Sequence, residues 1–125
     1  MNSSVGITWI KIAAIYFVLA IALGLVMGAS HDYSLRSVHA HIALFGWASL
    51  AIIGLIYCHF PAIANNRLAK VQFWLHNLGL PCLNLAIIGV QRGNTALEPI
   101  IGIASTVVAI SVILFAVNIF KNMKS

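Results

Sequence analysis

The sequence predicts an all-α integral membrane protein, a four-helix unit running up-down-up-down. Three observations carry that reading. Hydrophobic residues make up 62% of the 125 positions and charged residues only 7%, with a mean hydropathy of +1.01. That is too apolar to clothe a soluble domain in polar surface. Four apolar stretches, near residues 7–29, 38–60, 70–91 and 98–120, each match or exceed the roughly 20 helical residues that cross a bilayer. The short polar pieces between them, near 30–37, 61–69 and 91–97, hold breakers such as Asp32, Pro61, Asn65, Asn66, Gly93 and Asn94. Loops this short force antiparallel neighbours. Backbone in lipid must satisfy its own hydrogen bonds, so helices rather than an open sheet are expected. Residues 1–125 read as one such domain.

The first stretch carries Lys11 inside its apolar run and only a poor small-residue cleavage site at Met27-Gly28-Ala29. It therefore reads as a retained helix rather than a signal peptide. Ala20, Gly24 and Gly28 recur at four-residue spacing, a ridge that lets a neighbouring backbone approach closely, and Gly46 and Gly54 offer the same on the second stretch. On the third, Pro81 removes an N–H and clashes with the turn before it, so a kink is expected near His76. Cys58 and Cys82 each lie within an apolar segment and form neither a disulfide framework nor a metal-type CxxC.

The net charge of +5 comes from basic residues scattered between apolar runs, which excludes a nucleic-acid patch and reports topology instead. Lys11, Arg67, Lys70, Lys121 and Lys124 share one side; Arg36 and Arg92, offset by Asp32 and Glu98, share the other. The basic bias predicts both termini on the cytoplasmic face of a bacterial inner membrane. His31, His39 and His41 then lie toward the outer face, and His59 and His76 toward the inner one.

Ionisable side chains in a membrane span are costly and usually functional, which singles out Ser37-Val38-His39-Ala40-His41. On a helix, residues two apart point about 200° from each other with roughly 3 Å of axial offset. His39 and His41 cannot grip one metal ion together, but they can serve two sites on opposite flanks. The bland alternative is that they line a helix interface, bonded to a carbonyl or a hydroxyl such as Ser37 or Ser49. Haem iron takes axial histidines readily, and a flat apolar macrocycle fits between membrane helices. Arg36 and Arg92 are placed to meet its propionates through charge-assisted bonds, or else to anchor in head groups. His76 is a second choice of iron ligand: about 10 Å inside the opposite face by the ~1.5 Å rise per residue, it lies at a different depth from His41. Its alternative is a hydrogen bond within the bundle beside Asn77. His59 is expected at the interface and His31 in a solvated loop.

His39-Ala40-His41, then Ala43-Leu44-Phe45-Gly46-Trp47, Tyr57 and Phe60-Pro61, resemble the tenth helix of the catalytic subunit of haem-copper oxidases, nearest to the branch of C-type oxidases and nitric-oxide reductases. The likeness continues more weakly into Phe73-Trp74-Leu75-His76-Asn77 and covers about two-fifths of the chain. It implies that the first histidine of the pair binds one haem and the second another. The family's three further copper-ligating histidines and its linked tyrosine have no counterpart here, so a stand-alone copper-dependent oxygen reductase is not implied. That subunit has three four-helix arcs, and this chain supplies one arc's worth.

Together these readings predict a b-type haem-binding cytochrome that moves electrons, with a redox partner protein or a quinol as its counterpart. Haem b is held non-covalently, since CxxCH is absent. The alternatives are a haem protein that binds or senses a diatomic gas at an open iron, and a cofactor-free assembly partner of an oxidase. The unit is expected to form a homo-oligomer, a trimeric ring in the first instance with a dimer as the alternative. In a ring every interface is heterologous, and His39 of one subunit would face His41 of the next.

Overall fold

The computed structural model describes residues 4–124. Its four long helices are α1 (Ser4–Ser30), α2 (Arg36–His59), α3 (Arg67–Gln91) and α4 (Thr95–Asn122), each long and apolar enough to cross a membrane. The chain is thus an all-helical, multi-pass membrane protein. Each helix begins two or three residues before its apolar stretch, because polar first-turn residues such as Arg36 and Arg67 continue the spiral.

Local chemistry sets the ends. His31, directly after α1, takes a left-handed φ of 54°, the conformation that commonly closes a helix. Asp32 Oδ1 then accepts the Ser34 N–H at 3.0 Å, and the Ser34 bonds followed by the nearby Arg92 charge hold its carboxyl below the usual range. Asn66 caps α3, its side-chain oxygen accepting from the Ala69 N–H at 2.8 Å, one of the orphan donors a helix N-terminus leaves. α4 opens with a tight turn, Thr95–Leu97, and then carries Glu98 and a proline in its first turn, where an acidic side chain suits the helix dipole.

α1 packs along α2, α4 packs along α3, and α2 meets α3. Lipid supplies no hydrophobic force between helices, so close approach decides which faces meet. A Cβ on Gly54 would stand 2.8 Å from the Gly6 carbonyl oxygen, and one on Gly46 2.6 Å from the Tyr16 ring; these contacts seat α1 on α2. The expected ridge on α1 is only partly used. Gly24 lies under the His39 ring, whereas a Cβ on Gly28 would meet nothing within 4 Å. Gly6, outside that ridge, makes the closest approach.

Trp9 and Tyr57 are fully buried. Trp9 meets Tyr57 edge-on at 6.0 Å and Phe73 at 5.4 Å between ring centres, contacts worth about 0.5–1.5 kcal/mol each beyond area burial. At the same end, a polar tether holds the α2–α3 connection to α4. Asn118 Nδ2 donates to the Ile63 carbonyl at 2.8 Å, and Asn66 Nδ2 donates to Asn118 Oδ1 at 2.7 Å. Tyr57 donates to Gln72 Oε1 nearby.

The irregular helix is α2. Its first turns, Arg36–His41, lead into a π-helical segment, Ile42–Ala48, before α-helix resumes over Ser49–His59. Wide turns of this kind occur mostly as single insertions near functional sites. α3, by contrast, runs as one helix through Pro81.

Candidate functional site

His41 ends the first α-helical segment of α2, immediately before the wide turn. Its Nδ1 donates to the Ser37 carbonyl at 2.7 Å. A carbonyl only accepts, so Nδ1 carries the proton and the lone pair of the neutral ring is left on Nε2. That is the arrangement in which a metal-ligating histidine is usually held. The ring lies over Phe45, at 5.8 Å between centres and 23° between planes. Together with Phe45, Leu83, Ser105, Val108 and Val112 it borders a recess of about 230 Å³ between α2 and the α3–α4 pair.

His39 faces the opposite way. Its ring covers Gly24 of α1, where a Cβ would stand 3.0 Å from His39 Cε1. Its Nδ1 is buried without a hydrogen-bond partner. The two histidines therefore occupy opposite flanks of one helix, with different surroundings: His41 is oriented by a carbonyl, while His39 fills the α1–α2 interface with a polar atom unserved.

His76 is fully buried. Its Nε2 donates to the Phe45 carbonyl at 2.9 Å, within the wide turn of α2. Trp9 meets the ring edge-on at 5.6 Å, and Ser111 Oγ lies 3.4 Å from Nδ1. His76 also borders a smaller recess, about 190 Å³, that adjoins the His41 recess at Val112. The two histidines thus share one side of α2. His76 nevertheless spends its Nε2 proton on backbone, which is the hydrogen-bonded alternative weighed from sequence.

Arg36, at the start of α2, and Arg92, just past α3, are both exposed at the end of the molecule that carries His39 and His41. His59 is exposed at the far end of α2, against Phe60, and His31 is exposed in its turn. Among the described residues, no three His, Cys, Asp or Glu side chains converge as metal ligands.

The fit of a haem to these residues divides. His41 meets the requirement of an oriented imidazole with a free Nε2 beside an apolar recess. The recess is smaller than the roughly 300–1,000 Å³ of sites that enclose a ligand, so one chain covers only part of a haem. The wide turn is the feature that sequence reasoning missed. Its nearest signal was Gly46 three residues before Ser49, whose hydroxyl bonds back to the Leu44 carbonyl at 2.7 Å. Comparison with protein-family models, curated proteins and solved structures finds no match to this chain.

Proposed function

We propose that the chain is a haem-binding b-type cytochrome of the bacterial inner membrane, related to the haem-copper oxidase catalytic subunit and acting in electron transfer. The observation that carries this is the His41 imidazole, fixed by its 2.7 Å bond to the Ser37 carbonyl with Nε2 left to ligate. His39, two residues earlier on the opposite flank, is the ligand for a second site, and its partnerless Nδ1 marks a polar group inside an apolar interface. Arg36 and Arg92 lie at the correct end to hold propionates. Haem bound there would supply a one-electron couple. The chain's own part is to orient the axial imidazole, to exclude water with Phe45, Leu83 and Val108, and to place positive charge at the membrane surface. The basic bias supports an orientation with both termini in the cytoplasm and these groups toward the outer face.

The test is a pyridine haemochrome assay with reduced-minus-oxidised spectra on purified parent, His39→Ala and His41→Ala proteins. The parent should be red, and both variants should hold less haem, with His41→Ala the more severe. A colourless parent, or unaltered haem content in both variants, overturns the reading.

A further inference from the structure

A recess larger than either of those at His41 and His76 has no histidine among its lining residues. It is a lateral groove of about 610 Å³ between α1 and α3, floored by Val38 and Ile42 of α2, and its volume falls in the roughly 300–1,000 Å³ range of small-molecule sites. Its walls are aliphatic apart from Tyr16, Asn77 and Asn84. Leu19 and Leu85, on its opposite rims, are 50% and 67% exposed, so the groove opens sideways, toward lipid.

The polar groups are out of place for a groove that merely holds acyl chains. Asn84 is only 7% exposed, and its Oδ1 is buried without a partner, a condition that costs about 1–3 kcal/mol when nothing relieves it. Pro81, also on the groove, brings no N–H to the Asn77 carbonyl one turn before it. Tyr16 adds a phenol that both donates and accepts. Depth then selects the occupant. Tyr16 lies about 18 Å from the nearer end of α1 and Asn84 about 10 Å from the end of α3, at ~1.5 Å per residue, so in helices of this length both sit within the ~30 Å hydrocarbon layer. Phospholipid esters and head groups stay in the interfacial layers outside the hydrocarbon. A ligand that brings oxygens to this depth is a free lipophile with a polar ring.

We infer that the α1–α3 groove binds the ring of an isoprenoid quinone or quinol, with Tyr16 and Asn84 as its hydrogen-bonding residues. A phenol and a carboxamide can each donate to a quinone carbonyl or accept from a quinol hydroxyl, so the same pair serves both redox forms. The groove residues contact the ligand directly and do not involve His39 or His41. Binding is therefore expected whether or not haem is present.

The full chain in phosphatidylethanolamine–phosphatidylglycerol nanodiscs, titrated with decylbenzoquinone and its reduced form, tests this. Saturable binding, one per chain, is expected. Asn84→Leu should weaken it roughly tenfold, the loss of about one hydrogen bond. Leu85→Trp, which fills the groove from its rim, should abolish it, and Ile113→Trp, on the exposed face of α4, should leave it unchanged. If Asn84→Leu does not yield monodisperse helical protein, Leu85→Trp decides. Uptake no greater than in empty nanodiscs overturns the inference. So does equal binding by parent and Leu85→Trp, or a tightly held phospholipid that Leu85→Trp alone releases.

Discussion

His76 donates to a backbone carbonyl on another helix, and the partner matters as much as the bond. The Phe45 carbonyl belongs to the wide turn of α2, and the His76 ring that serves it is fully buried. His76→Leu should therefore cost about 1–3 kcal/mol, the penalty of an unsatisfied buried acceptor, read as a lower midpoint in denaturation from micelles. His59→Leu, at an exposed position, should leave the midpoint unchanged. The opposite flanks of His39 and His41 were legible in the sequence, since two-residue spacing on a helix dictates them. The difference between the two was not. It depends on a local carbonyl for His41 and on the Gly24 contact for His39, and neither follows from spacing. His76 was legible only as a pair of alternatives, because its partner lies 31 residues away and is set by tertiary packing.

At the scale of the helices, the four spans were readable because length and hydropathy decide them, and their ends shifted by only a few residues. The faces were less readable. Small residues mark potential contacts, but Gly28 and Gly6 show that spacing alone does not select the ones used. Gly46→Val should lower stability by about 1–3 kcal/mol through overpacking, because its Cβ would stand 2.6 Å from the Tyr16 ring. Gly28→Ala, with nothing within 4 Å, should be neutral or gain up to about 1 kcal/mol from reduced backbone freedom. Thermal melts of the two variants side by side check both. The kink that Pro81 leads us to expect near His76, where α3 runs on as one helix, and the wide turn found in α2 show a further limit. Proline announces itself in sequence, whereas an extra residue in a turn is fixed by what the neighbouring helices offer its carbonyls.

For the whole molecule, the His41 recess and the His39 interface lie on different sides of α2, and a recess of about 230 Å³ does not enclose a haem. For the proposed cytochrome, a homo-oligomeric ring, a trimer in the first instance, would let one subunit complete the site of the next. Mixing His39→Ala and His41→Ala chains before reconstitution should restore six-coordinate low-spin haem at those interfaces where both intact histidines meet. A monomer in native mass spectrometry that keeps six-coordinate haem would return the second ligand to the same chain. Reporter fusions after α4 should be active only on the cytoplasmic side.

The wide turn at Ile42–Ala48 also sets a rotational phase. It lies between the histidine end of α2 and the Ser49–His59 segment that α1 grips through Gly54. Excising one residue from it, and so restoring regular α-helix, would swing everything before it by about 100° and draw it in by about 1.5 Å. His41 would leave its recess while the gripped half stayed in place. The aim of both imidazoles is thus geared to a single surplus residue in the turn that follows His41.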